Sequence, residues 1–175
     1  MKKNYLLIIF FFISGCLGYM NNTPPVEDFQ LEKYLGKWYE IARLDNSFEK
    51  GLEQVSAEYS LRADGGVKVL NKGYNPEKKI WKEAIGKAFF VEEKEKGYLK
   101  VSFFGPFYGS YVVFEIDEGY NYAFVTSSKK SYLWFLSRTP KVDDEMIEHF
   151  KLRAESFGFN LDKLVILNQD RNDKR

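Results

Sequence analysis

Few side chains in this sequence have the type and setting to do chemistry. Cys16 is the only cysteine, and it follows the apolar run 6–13 and the small residues Ser14 and Gly15. A thiol at that point is a nucleophile at the end of a membrane-seeking segment, suited to taking up a lipid group. His149 is the only histidine. With no second histidine and no further thiol, metal-ligand spacing is absent. No serine forms a credible triad with His149 and an acid. The paired aspartates and glutamates fall in loops or on polar faces. The residue types therefore predict no catalytic centre, no metal site and no cofactor, and Cys16 is left as the one reactive position.

The segment around Cys16 explains that reactivity. Met1, Lys2 and Lys3 give a basic start, and the apolar stretch after them is too short to span a bilayer stably. Residues 1–15 thus read as a signal peptide. The sequence Ile13-Ser14-Gly15-Cys16 resembles a bacterial lipobox, in which the cysteine is lipidated and becomes the new N-terminus. Leu17 follows it, not the aspartate that retains such proteins in the inner membrane. The expectation is a lipid anchor on Cys16 in the outer membrane, with the protein facing the periplasm. Residues 16–30, with Asn21, Asn22, Pro24 and Pro25, read as a lipidated N-terminus and tether, which would reach roughly 40–50 Å if extended.

About 160 residues follow the signal peptide, enough for one domain with a real core. Without Lys2 and Lys3, 24 basic residues face 25 acidic ones. No basic stripe appears, so nucleic acid is not expected as a partner. With Cys16 used for lipid, no disulfide is available and the fold must stand on packing. Aromatic residues make up 18% of the chain, which points to a large aromatic core or a cavity lined by rings.

Residues 31–175 read as that domain. Short alternating segments run over 38–43, 55–61, 67–71, 81–90, 98–104, 110–117, 122–127 and 132–137, separated by turn signals such as Asp64-Gly65-Gly66. Eight strands joined mostly as hairpins predict a meandering antiparallel barrel or sandwich. A lead-in with Phe29, Leu31, Tyr34 and Leu35 precedes them. Asp143 and Asp144 suit a helix start, Met146, Ile147, Phe150 and Phe157 give a helical-period apolar face, and Gly158 suits the stop. A last short strand is expected at 164–167.

Gly36-Lys37-Trp38-Tyr39 opens the first strand, and Leu136-Ser137-Arg138-Thr139-Pro140 ends the eighth. Trp38 and Arg138 are placed to stack, guanidinium over indole, at one end of a barrel. Gly36, Trp38 and Arg138 together resemble the lipocalin signature. Residues 36–43, 57–61, 65–76, 102–109 and 132–140 are also similar to bacterial lipocalins of the apolipoprotein D-like group. The resemblance covers about 29–168. It departs at Asp117-Glu118-Gly119-Tyr120-Asn121-Tyr122, where only part of the family's second motif is present. It implies an all-β fold: an eight-stranded antiparallel up-and-down barrel with one C-terminal helix packed on its side. It further implies a cavity for a fatty acid, phospholipid or lysophospholipid, and it leaves a homodimer open.

Interior positions of such a barrel alternate along each strand. If Trp38 points inward, Glu40 and Ala42 follow it on the inner face. Glu40 would anchor a head group or satisfy a hydrogen-bond partner. By the resemblance, Tyr59, Asn71, Phe103, Trp134 and Leu136 match pocket-lining positions, while Trp38 and Arg138 close the barrel. Residues 45–54, with Phe48 and Leu52, are either a cover for the open end or a solvated loop. Three functions stay open: a lipid-binding carrier in the cell envelope, an envelope lipoprotein acting through a protein partner, and an enzyme on a lipidic substrate. The cavity cysteine used by isomerase-type relatives is missing, so the expectation is a binding protein and not an enzyme.

Overall fold

The computed structural model describes residues 22–169. Cys16 and the signal peptide lie outside the described residues. A single-turn helix, α1 (Leu31–Tyr34), leads into β1 (Gly36–Leu44), β2 (Glu53–Leu61), β3 (Val67–Asn75), β4 (Ile80–Phe90), β5 (Tyr98–Ser102), β6 (Gly109–Ile116), β7 (Tyr122–Thr126) and β8 (Leu133–Ser137). Then come α2 (Asp144–Ser156) and β9 (Leu164–Ile166). The eight expected strands are present, and β3 runs on to Asn75.

From β1 to β8 each strand pairs antiparallel with the next, and β1 pairs with both β8 and β2, so these eight close into a barrel. Closure removes exposed edges. The upper half of β1 departs from β2 and pairs with β9 through Ala42, Arg43 and Leu44. Gln169 Nε2 bridges this split, donating to the carbonyls of Glu40 at 2.7 Å and Val55 at 3.0 Å.

Side chains sort into two buried clusters. One fills the barrel with Trp38, Tyr59, Val67, Val69, Leu99, Val113, Val125 and Leu136. The other lies between the barrel wall and α2, with Ile41, Ala42, Phe114, Phe124, Phe135 and Phe150. The Asp143 carboxylate caps α2 by accepting from the Met146 N–H at 2.8 Å, the interaction that makes aspartate a good helix start. Phe150 is wholly buried, its ring centroid 4.9 Å from Phe124 and 5.2 Å from Phe135. The helix packs on the side of the barrel, as expected.

One expectation about the N-terminal segment is corrected. Residues 16–30 were expected to form a tether, but part of that stretch belongs to the folded body. The Val26 N–H donates to the Val113 carbonyl at 2.8 Å, and the Val26 carbonyl accepts from Gly97 at 2.9 Å. The Phe29 N–H donates to the Glu95 carbonyl, and the Phe29 side chain is buried. Apolar Val26 and Phe29 find partners beside the 91–97 and 117–121 connections, which outweighs the extended bias of Pro24-Pro25. This segment and α1 cross one end of the barrel, which is the closed end.

Candidate functional site

Trp38 opens β1 at the closed end and is completely buried. Its indole N–H donates to the Tyr34 carbonyl at 2.8 Å. The Arg138 guanidinium lies 3.8 Å from the Trp38 ring centroid. Arg138 also donates to the carbonyls of Lys33, Lys37, Leu35 and Tyr120 at 2.6 to 3.2 Å. One planar fork thus ties α1, β1 and the β6–β7 turn together. Desolvation holds the Arg138 guanidinium below its ordinary pKa. The turn departs from the family motif, yet Asp117 supplies its closure by accepting from the backbone of Asn121 at 2.6 Å and of Tyr122 at 2.9 Å.

Above this plug, three tyrosines meet inside the barrel. The Tyr111 hydroxyl is 2.6 Å from that of Tyr34 and 2.7 Å from that of Tyr59. Burial pushes the Tyr59 phenol up to about 12 and raises those of Tyr34 and Tyr111 well above the ordinary value. These hydroxyls stay neutral and satisfy one another, as buried polar groups must.

Nearer the open end lies a charged cluster. Register between β1 and β8 slips between Glu40 and Ala42. The extra residue, Ile41, makes a β-bulge, which shifts every later side chain by one face. Ala42, expected in the pocket, therefore belongs to the cluster beneath α2. Arg43 takes the inward position instead, and Arg43 is 2% exposed. Its Nη1 donates to Glu40 Oε1 at 2.8 Å, and its Nη2 donates to the carbonyls of Glu49 at 2.7 Å and Leu52 at 3.2 Å. The Glu49 carboxylate in turn accepts from Trp134 Nε1 at 2.9 Å and Asn46 Nδ2 at 2.7 Å. Burial, followed by the nearby Glu49 carboxylate, raises the Glu40 pKa above its ordinary value, while Arg43 pulls it back. These bonds draw the 45–52 loop toward the barrel mouth. Of the two expected roles of Glu40, hydrogen bonding to a partner is met by Arg43.

The other expected lining residues fall where alternation puts them. Tyr59 and Leu136 are in the interior cluster, and Phe103 and Trp134 pack against it half-buried. Asn71 is half-buried, and its β4 partner Ala84 is exposed although it shares the parity of buried Gly86 and Ala88. The interior is therefore reached by solvent along the β3–β4 wall. Arg43 and Tyr111 are interior residues that the sequence alone did not mark, and Tyr34 of the lead-in joins them. His149 stands outside the barrel on α2, exposed and hydrogen-bonded to Glu115, which also binds Arg153 at 2.6 Å. Among the described residues, no group of three His, Cys, Asp or Glu side chains is arranged to hold a metal ion. The arrangement is a plugged barrel with an apolar, ring-rich interior and a polar cluster below its mouth.

The family model of the lipocalin-like domain matches residues 29–169. The chain belongs to the lipocalin family. The outer membrane lipoprotein Blc of Vibrio cholerae is 54% identical over 170 residues, covering 97% of this chain and 99% of that one. Mouse apolipoprotein D is 32% identical over 165 residues, covering 87% and 84%. Among solved structures, insecticyanin from the tobacco hornworm superposes with a TM-score of 0.68 at 21% identity, covering 87% of this chain and 86% of that one. This lipocalin is thus similar in kind to bacterial outer membrane lipoproteins, with apolipoprotein D as a more distant relative. The fold implied by the Gly36, Trp38 and Arg138 signature is the fold found.

Proposed function

We propose that this lipocalin binds a single-chain lipid, a fatty acid or a lysophospholipid, inside the barrel and stores or carries it in the cell envelope. The observation that carries the reading is the interior itself. Apolar and aromatic residues line it from Tyr59 to Trp134, and the Glu40–Arg43–Glu49 cluster marks its upper end. An acyl chain gains about 0.8 kcal/mol per methylene buried, so a long chain binds usefully with no reaction. Eight strands leave an interior just wide enough for one small ligand. The polar end of the lipid would lie among Glu40, Arg43 and the Trp134 indole N–H. In this reading Cys16 carries the anchor, the barrel faces the periplasm, and the interior residues bind rather than convert their ligand.

The test is a titration with lysophospholipid or free fatty acid, read by tryptophan fluorescence. Of the three tryptophans, Trp38 is sealed in the plug. Trp81 faces outward under Lys72, whose Nζ is 5.1 Å from its ring. Trp134→Phe should therefore remove most of the signal while binding persists in a competition assay. A diacyl phospholipid should compete poorly. Equal affinity for one-chain and two-chain lipids, or no binding of either, would overturn the reading.

A further inference from the structure

The open end of the barrel is built from the connections 45–52, 75–79, 103–108 and 127–132, and its rim is unusually apolar. Phe48 is 70% exposed, Phe104 74% and Phe107 78%. Ile80 and Trp81, at the start of β4 beside the same rim, are 48% and 40% exposed. Soluble monomers rarely gather large exposed apolar side chains in this way without a binding purpose. The same connections carry five exposed lysines, Lys50, Lys78, Lys79, Lys129 and Lys130, the last with its Nζ toward Gly158. The acids of these loops are Asp45, Glu49 and Glu77, and Glu49 is turned inward onto Trp134 and Asn46. The connections at the closed end are instead rich in exposed acids, among them Glu92, Glu93, Glu95 and Glu118. The two ends of the barrel thus differ in both polarity and charge.

We propose that the open rim docks on the surface of an anionic phospholipid bilayer. Rings buried at the headgroup level with lysines beside them are the combination that holds proteins at a lipid interface. Each lysine near an anionic membrane adds attraction that fades within a Debye length. The apolar tips sit on separate loops around an opening rather than in one groove, which suits a flat fluid surface. A ring stack also leads inward from the rim. Phe48 lies 6.2 Å from Tyr132, and Tyr132 lies 5.8 Å from Trp134, both pairs stacked. A docked rim would place the bilayer at the head of that stack and so give a single-chain lipid an entry route that avoids water.

The polypeptide approaches the barrel from the other end. Val26 and Phe29 are bonded beside the closed end. The docking surface therefore lies opposite the point where the N-terminal chain joins the body, and the surface it meets is a bilayer other than the one holding the anchor. This clause rests on Cys16 as the anchor; the character of the rim does not.

The experiment uses the full mature chain in phosphatidylcholine donor vesicles, with dye-loaded acceptor vesicles added. Retention in the donor vesicles, measured first, tests the anchor separately. If the chain is not retained, a C-terminal histidine tag on a chelating lipid holds it for the same assay. Acceptors containing phosphatidylglycerol should be captured, and high salt should release them. Capture should fall about tenfold or more in Phe104→Ser/Phe107→Ser and in Lys78→Glu/Lys79→Glu. Phe48→Ser, on another loop, gives a second measure should the first pair fold poorly. Glu92→Gln/Glu93→Gln, at the closed end, should be captured as the wild type is, and capture should need no single-chain lipid, which separates this proposal from the cavity reading. Unchanged capture by the rim variants, or no capture of anionic acceptors, would overturn it. So would a rim that binds a purified envelope protein and no vesicle.

Discussion

Glu40 and Arg43 form a 2.8 Å ion pair inside the barrel, although strict alternation along β1 would send them to opposite faces. Ile41 is the reason. It is the extra residue of a bulge, and it faces α2 together with Ala42, so Arg43 returns inward one residue above Glu40's level. The pair ties three things together: the split of β1 from β2, the loop 45–52 held through the carbonyls of Glu49 and Leu52, and the polar floor beneath the mouth.

The pair has a pH signature. The groups facing Glu40 are Arg43, Glu49 and Tyr59, and the Arg43 guanidinium pairs with the Glu40 carboxylate while meeting Glu49 only at its backbone carbonyl. Burial and Glu49 raise the Glu40 pKa in the folded state above its ordinary value of 4.5. A carboxyl with a raised folded pKa takes up its proton first in the folded protein. Its contribution to stability therefore grows as pH falls through that pKa and is complete below the unfolded value. Glu40→Gln abolishes this contribution. Between about pH 7 and about pH 5, the melting temperature of the wild type should rise relative to that of Glu40→Gln. A difference that stays flat or moves the other way would show that Glu40 remains ionised beside Arg43 throughout.

The same bulge marks the boundary of what the sequence reveals. Alternation agrees with the interior positions of Trp38, Tyr59, Trp134 and Leu136, because the stretches of β1, β2 and β8 that hold them carry no inserted residue, while Phe103 lies one residue past the end of β5. It failed at Ala42, since an inserted residue leaves no composition signal: Ile41, Ala42 and Leu44 are all apolar and suit either face. A second slip between Val113 and Glu115 turns both Phe114 and Glu115 outward, toward α2. The helix limits were legible through Asp143 and Gly158, whose roles are local. The docking of Val26 and Phe29 was not, because their partners, Gly97, Val113 and Glu95, are distant in sequence. The tyrosine hydroxyl cluster was hidden for the same reason, since Tyr34, Tyr59 and Tyr111 come from three elements.

The Trp38–Arg138 pair should govern stability and leave ligand affinity nearly unchanged. Trp38 is fully buried, and truncating such a side chain to alanine costs about 3–5 kcal/mol. Trp38→Ala should show that loss in denaturant unfolding. Arg138→Lys keeps the charge but cannot reproduce a fork that reaches four carbonyls and lies flat on the indole. It should also destabilise, by less. Lipid affinity, corrected for the folded fraction, should stay close to wild type in both. A variant with unchanged unfolding and abolished binding would move the pair from the plug into the pocket.

Cys16 should carry the anchor. It is the only thiol of the chain, it follows an apolar run and two small residues, and no competing cysteine exists in the body. One acyl chain binds a membrane only marginally, and stable attachment takes two signals. The three chains of a mature bacterial lipoprotein exceed that requirement. Thr23 is already fully buried, which leaves six residues between Cys16 and Thr23. At about 3.3 Å per residue, fully extended, those six span roughly 20 Å, shorter than the reach of a tether through residue 30. With Cys16 as the anchor, the closed end should lie nearest the membrane that holds it. Cys16→Ser should be left unprocessed or released, and it should vanish from the outer-membrane fraction. Intact mass of the wild type should show the acyl groups on a chain that starts at Cys16. A serine variant that fractionates with the outer membrane as before, at its mature length, would show that another feature holds the protein there.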